Sequence, residues 1–587
     1  MRRFFILPVA LATLPFPALG QDCVDGAIAG IDGTCSGDVV FTPRELDPNV
    51  DGDRLNVAAF DLGLTGTYTL GPGETLLLEG LDNDAVIGGD KRPRITVGFG
   101  PATDGTLTID GGRIDMISDG GSPSVKVGED GGSGALNIIN GGVLTMTDLG
   151  VLERNADAGE RGAFLNVGTG TLDGNLTLDN GAIEMLSSLS SRVSIGTSDV
   201  AGGVGTAVLS NGSRIVLQQQ DVPGGTAENT FLIVGDFDGS NGSLSVFDST
   251  IDVLTDSGRA TIGIGSFGDA HGNLLLSGAG TEVTIRGSQA DFTVGQQASG
   301  QVDMENGASL VVDSTDPSAR TDFRLGFQGA SSNAVMNMSG GSTVTVGGPT
   351  GGAGRASIGD GDPEAGENIA GFLNLTDAGT LFAATESIRL GSFGDGGGTS
   401  VGVVTVSDGA ELRAPEIRVG DGGILRGDGG TITGDVVVED GGSVAPGLSP
   451  GIMTIDGDLD LFAGSILDIE FEGTAPGEFD LINVLGDVNS DGMFNLVLSF
   501  VDFTPVEDTV LSFLNVGGTL DTGFFANAMI EVVGLGAGSE FSFVETDGML
   551  GIRADTIAPI PLPAGGVLLM SALGGLALAK RRRKGAA

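Results

Sequence analysis

The sequence predicts an all-β fold: a parallel β-helix, or solenoid, of about eleven repeats of about 32 residues, then a small C-terminal β region and an apolar C-terminal helix. Three observations lead there. Glycine fills 105 of 587 positions, while Leu, Ile and Val stay plentiful and Trp is absent. Short runs alternate apolar and polar residues, as strands with one buried face do. A strand ending in apolar-Gly recurs at a near-constant interval, with the same two strands after it each time.

The N-terminus comes first. Arg2 and Arg3 precede an apolar stretch over residues 4–14, and Ala18-Leu19-Gly20 places small residues before Gln21. That is the layout of a secretory signal over residues 1–20, too short for a dependable membrane span. Gln21 and Asp22 separate the cleavage point from Cys23, which argues against a lipoprotein. Cys23 and Cys35 are the two cysteines. In an oxidising compartment they are expected to close one small loop. A metal pair or catalytic thiol is disfavoured, because no His or further Cys stands near them. Residues 21–94 are read as a cap carrying this loop, since a solenoid needs an atypical end unit over its open edge.

The repeats are assigned to 95–475. One copy runs Ile95-Thr96-Val97-Gly98, then Gly105-Thr106-Leu107-Thr108-Ile109, the turn Asp110-Gly111-Gly112, and Ile114-Asp115-Met116. The next runs Val125-Lys126-Val127-Gly128, Ala135-Leu136-Asn137-Ile138, Asn140-Gly141-Gly142 and Leu144-Thr145-Met146. Gly98, Gly128, Gly168, Gly196, Gly235, Gly263, Gly295, Gly326, Gly359, Gly391 and Gly420 mark the first strands, 28 to 40 residues apart. No unit can bury its own apolar face, but stacked units share one core. Asn-Gly, Asp-Gly and Gly-Gly pairs supply positive φ at the corners. Asn-Gly also suits hairpins; the fixed order of three strands per period favours the β-helix. Residues 476–554 form the C-terminal β region, and 555–587 the tail.

The formal charge is −49, with seven of the 28 basic residues in the two terminal segments. The acidic body should repel nucleic acid and anionic lipid, so no nucleic-acid partner is expected.

Two resemblances follow from these motifs. The repeat resembles units shared by autotransporter passenger proteins and proteins with exosortase-type sorting tails. Ala445-Pro446-Gly447-Leu448-Ser449-Pro450-Gly451-Ile452-Met453-Thr454-Ile455 looks like the Pro-Gly-x-Ser-x-Gly-x-x-Thr-Ile stretch near the end of many such passengers. No membrane β-barrel follows it, which departs from the autotransporter plan. The tail resembles the VPLPA variant of the PEP-CTERM sorting signal. Ile560-Pro561-Leu562-Pro563-Ala564 is the motif, with Ile for the first Val; residues 565–579 are the apolar transmembrane segment, and Lys580, Arg581, Arg582, Arg583 and Lys584 the basic end. The prolines keep the motif extended, and the cations stay in the cytoplasm. By resemblance, a membrane exosortase would be the processing partner; a plain C-terminal anchor is the competing reading.

Candidate chemistry is sparse. His271 is the one histidine and is expected in a solvated loop. Asp487, Asn489 and Asp491, followed by Gly492, match the first half of a calcium loop, but Leu498 stands where its bidentate carboxylate belongs. The same stretch parses as strand, turn, strand, with the turn over residues 489–492. Asp236, Asp238, Asp360 and Asp362 sit in further acidic loops that lack the nonapeptide calcium pattern. The expectation is a non-catalytic exported protein of a Gram-negative cell, anchored at the inner membrane before processing and then sorted to the envelope, outer surface or matrix, serving adhesion, structure or exopolysaccharide association. No cofactor is expected, Ca2+ excepted. The alternatives are a polysaccharide-active β-helix enzyme, which a groove with convergent carboxylates and a basic residue would favour, and a calcium-dependent adhesin.

Overall fold

The computed structural model describes residues 53–558, except 60–63, 81–91, 119–121, 150–161, 171–172, 198–201, 222–227, 238, 330–331, 349–351, 361–367, 395–397, 448–449 and 547, together with 21–24, 27–28, 34–37 and 39–42. Alternation in the sequence becomes alternation in burial. Asp104–Asp110 has every second side chain buried, and so do Arg113–Ser118 and Ser133–Ile139. Each strand pairs in parallel with its counterpart one turn on, as Leu107 with Leu136 and Ile114 with Leu144. The chain is a parallel β-helix with three faces.

Fifteen coils stack among the described residues. The first face runs from Arg54–Ala59 through Arg94–Phe99 to Val488–Asp491. The second runs from Thr65–Leu70 to Phe494–Phe500, with Ala528–Val533 stacked in parallel beyond it, and the third from Thr75–Gly80 to Val510–Val516. At about 4.8 Å per rung the stack is roughly 70 Å long. It outruns the expected 95–475 span, and the expected eleven repeats, at both ends. The first coil hides because Ala58, at φ 51°, fills the corner that Gly98 holds later. The last coils hide because their corners no longer follow the apolar-Gly pattern. Val488–Asp491 is itself a first-face strand, where a turn over residues 489–492 was expected. Two strands, Glu411–Val419 and Gly430–Val438, pass from the third face to the first without a turn.

Both open edges are closed by antiparallel pairing. Val39–Thr42 lies on Arg54–Ala59, and Thr34–Gly37 on Thr65–Leu70. Cys35 is buried and disulfide-bonded, and Cys23 is the other cysteine of the chain. At the far end Met549–Thr556 pairs antiparallel with Val510–Val516, and Glu540–Thr546 lies beside it. Phe541 stacks on Phe500 at 5.4 Å, and Phe500 on Phe471 at 5.3 Å, sealing the core with rings. The core itself is one column of Leu, Ile, Val and Phe per inward position, with Phe292 stacked 5.1 Å from Phe323.

The marking glycines explain the corner between the first and second faces. Gly98 has φ 66°, and a Cβ there would meet the Ser133 carbonyl at 1.7 Å. A second glycine column lies directly across: Gly66, Gly105, Gly134, Gly174, Gly205, Gly242, Gly272 and Gly300 are register partners. Two backbones cross there too closely for any side chain. One marker needs correction. Gly263 pairs within the strand with Ile233, and the corner glycine of that coil is Gly265, at φ 66°.

The tail motif Ile560 to Ala564, the apolar C-terminal helix, the basic Lys580 to Lys584 end and the 1–20 signal lie outside the described residues. No helix among the described residues is long and apolar enough to cross a membrane.

Candidate functional site

Outward positions of the first face fall into two columns, because strict register repeats each position one rung on. One column reads Asp291, Asp322, Arg355, Ser387, Glu416; the next reads Thr293, Arg324, Ser357, Arg389, Arg418. Facing charges on neighbouring rungs interact directly. Asp291 lies between Arg259 at 2.6 Å and Arg324 at 3.3 Å. Asp322 lies between Arg324 at 2.5 Å and Arg355 at 3.4 Å. Asp360 takes Arg389 at 3.5 Å and the Ser357 hydroxyl at 3.1 Å. Burial pushes the Asp291 and Asp360 carboxyls above their ordinary value, against the pull of these arginines.

Higher on the face the charges open into a groove of about 490 Å³. Arg320, Arg355, Arg389 and Arg418 line it with Glu386, Glu416, Glu439, Ser387 and Phe393. The Phe393 ring carries two guanidinium groups, Arg389 at 4.1 Å and Arg418 at 5.7 Å from its centroid. Arg324 lies over Phe327 in the same way, at 4.8 Å. Each groove carboxylate touches an arginine: Glu386 touches Arg320 at 3.9 Å, Glu416 touches Arg418 at 3.6 Å, and Glu439 bonds Arg418 directly. The Glu439 bond raises the Arg418 guanidinium further above its usual range.

The same edge carries an aromatic pair. Phe237 and Phe267 follow the corner glycines of two successive coils, are 43% and 40% exposed, and stack at 6.0 Å. Phe237 has φ 69°, a conformation a bulky side chain seldom adopts.

The positions expected from the sequence are placed elsewhere. Asp487, Asn489 and Asp491 lie at alternate positions along one extended strand end. The Asp487 carboxylate accepts the Thr519 amide at 2.7 Å, which lowers its pKa, and Asn489 donates to Asp460 at 2.8 Å. No three His, Cys, Asp or Glu gather as a metal site among the described residues. His271 opens a second-face strand, exposed, rather than lying in a loop. Asp236 is buried at 1% exposure against Arg192.

The groove was missed because its arginines are far apart in sequence. A signal exists all the same. Arg324, Arg389 and Arg418 each stand two residues before a marking glycine, Phe237 and Phe393 each stand two after one, and Phe267 stands two after the corner glycine Gly265. Aligning the repeats on the structural corners turns scattered residues into columns.

No family model matches the chain. Over 230 residues it is 25% identical to the uncharacterized protein YuaQ of Escherichia coli (strain K12), a stretch covering 39% of this chain and 16% of that protein. The likeness spans about a sixth of YuaQ.

Proposed function

We propose that this is an exported, non-catalytic β-helix protein of the cell surface or extracellular matrix, where it serves adhesion, envelope structure or exopolysaccharide association by holding a polymer along its first face. A membrane exosortase delivers it by reading the 560–564 motif and removing the tail. The groove supports the reading: an elongated, regularly spaced row of arginines and rings suits a chain molecule better than a compact substrate.

A second reading, a polysaccharide-active enzyme, is favoured by the convergence of Glu386, Glu416 and Glu439 in one groove. A general acid needs a carboxyl kept clear of cations so that it holds its proton near neutral pH. All three carboxylates are instead engaged by Arg320 or Arg418, and the binding role is preferred. Mass spectrometry of the mature C-terminus from native cells tests the route, which an intact Lys580 to Lys584 cluster refutes. Incubation with matrix polysaccharide tests the role: retention without new reducing ends is expected, and their release would establish the enzyme.

A further inference from the structure

We infer that the first-face groove takes the acid groups of an anionic polysaccharide, with Arg355, Arg389 and Arg418 as a ladder of oxyanion donors and Phe237 with Phe267 as a sugar platform on the same edge. This rests on the polymer-holding reading above and names its ligand class.

Internal pairing satisfies the ladder only in part: Arg355 meets Asp322, Arg389 meets Asp360, and Arg418 meets Glu416 and Glu439. Arg389 and Arg418 are direct register partners, so two like charges meet on adjacent rungs, an arrangement that costs free energy unless an anion sits between or beside them. Asp360 and Glu439 offset part of this. The Nε donors of Arg355, Arg389 and Arg418 are nevertheless buried without an aligned acceptor. The Asp322 and Asp360 oxygens near two of them stand off at 3.4 and 3.5 Å. The Arg355, Arg389 and Arg418 side chains as a whole stay 21%, 25% and 40% exposed, and a guanidinium fork facing the groove fits a carboxylate or sulfate. Phe393 fixes the planes of two of these forks.

The spacing fits a polymer. The rungs repeat at about 4.8 Å, comparable with the length of one hexose unit, so successive acid-bearing sugars can meet successive arginines. Phe267 lies four coils before Phe393, roughly 20 Å along the axis. Its ring and that of Phe237 offer exposed faces to the C–H side of a pyranose. Phe237 is held at a strained positive φ, with its ring beside that of Phe267. The acidic remainder of the body does not forbid this ligand, because at physiological salt charges beyond about 8 Å are screened.

The test uses the mature chain purified from its own cells, with binding to polygalacturonate, dextran sulfate and neutral dextran measured by titration calorimetry. Wild type should bind both anionic polymers and not dextran. R389Q/R418Q should weaken that binding at least tenfold, while the third-face control R113Q/R214Q, with the same charge change, should stay within twofold. F237A/F267A should weaken it severalfold. R389K keeps the charge and loses the fork, so it should weaken binding too, and it serves if the double variant fails to fold. Groove-dependent binding of dextran as tight as that of polygalacturonate would overturn the anionic ligand and leave the polymer-holding reading standing. Absence of binding to any polysaccharide would overturn both. Equal loss in R113Q/R214Q would overturn the site.

Discussion

Gly242→Ala tests the tight corner. Gly242 has no unusual φ, so the substitution acts through space alone. Its new Cβ would meet the Gly235 amide nitrogen at 2.2 Å and the Ile195 carbonyl oxygen at 2.3 Å. Both are backbone atoms, one in the same coil and one in the coil before, so neither can swing aside. The two coils must part at that corner. Overpacking of this kind costs roughly 1–3 kcal/mol, which corresponds to about a five- to 150-fold rise in local opening. A solenoid is held by nearest-neighbour contacts, so the damage should stay local. Native-state hydrogen exchange is the assay. Amides of Val208 and Val246, register-linked strands at the corner, should lose protection by that factor. Amides of Leu467 and Leu496, eight or more coils away, should not change. Unchanged exchange at Val208 and Val246, or an equal loss at all four, would refute the reasoning. The described coils hold a natural exception. Ala334 occupies the glycine column, and there the facing Gly295 is set back: a Cβ on it would lie 3.0 Å from Asn333 O, where Gly235 would lie 2.3 Å from His271 O.

Further outcomes follow from the buried charges. Asp480 is 2% exposed and accepts the Gly451 and Glu470 amides at 2.7 and 2.8 Å; burial nevertheless pushes its pKa up to about 7. The folded chain then keeps a proton that the unfolded chain has released, so stability falls as pH rises from about 4 to about 7, by on the order of 4 kcal/mol for this group. Asp236, Asp252, Asp291, Asp360 and Asp468 are raised in the same direction. The melting temperature should therefore be higher at pH 5 than at pH 8, and Asp480→Asn should flatten the difference; a higher value at pH 8 would contradict it. Arg192→Gln should strand the buried Asp236 carboxylate at pH 8 and cost about 3–5 kcal/mol, measured by urea unfolding. Adding Asp236→Asn should recover most of that, and no recovery would show that Arg192 acts through packing instead. Phe323→Ala removes a ring stacked on Phe292 and edge-on to Phe382 and should cost about 3–5 kcal/mol, again read as exchange confined to neighbouring coils.

Much of this architecture was legible beforehand because a solenoid is written in one dimension. Alternation set each strand's buried face, the glycine interval set the coil, and Asn-Gly pairs marked the corner between the second and third faces, where Asn140 and Gly141 take positive φ. Where a corner used another residue, the reading slipped: Ala58 concealed a coil, and Gly263 stood in for Gly265. A calcium loop and a strand end share the residue types of Asp487, Asn489 and Asp491, and register with Leu459–Phe462 places residues 488–491 in a strand rather than a turn.

The sequence by itself determined the fold class, the strand period and the acidic charge, since each is a property of neighbours along the chain. The groove is different. Arg355, Arg389 and Arg418 stand about thirty residues apart and meet only because parallel stacking sets successive coils about 4.8 Å from one another, with Arg389 and Arg418 in one column and Arg355 in the next. Whether an arginine in such a column is satisfied or left with donors to spend depends on the acid one rung away. That distance exists only in the folded molecule.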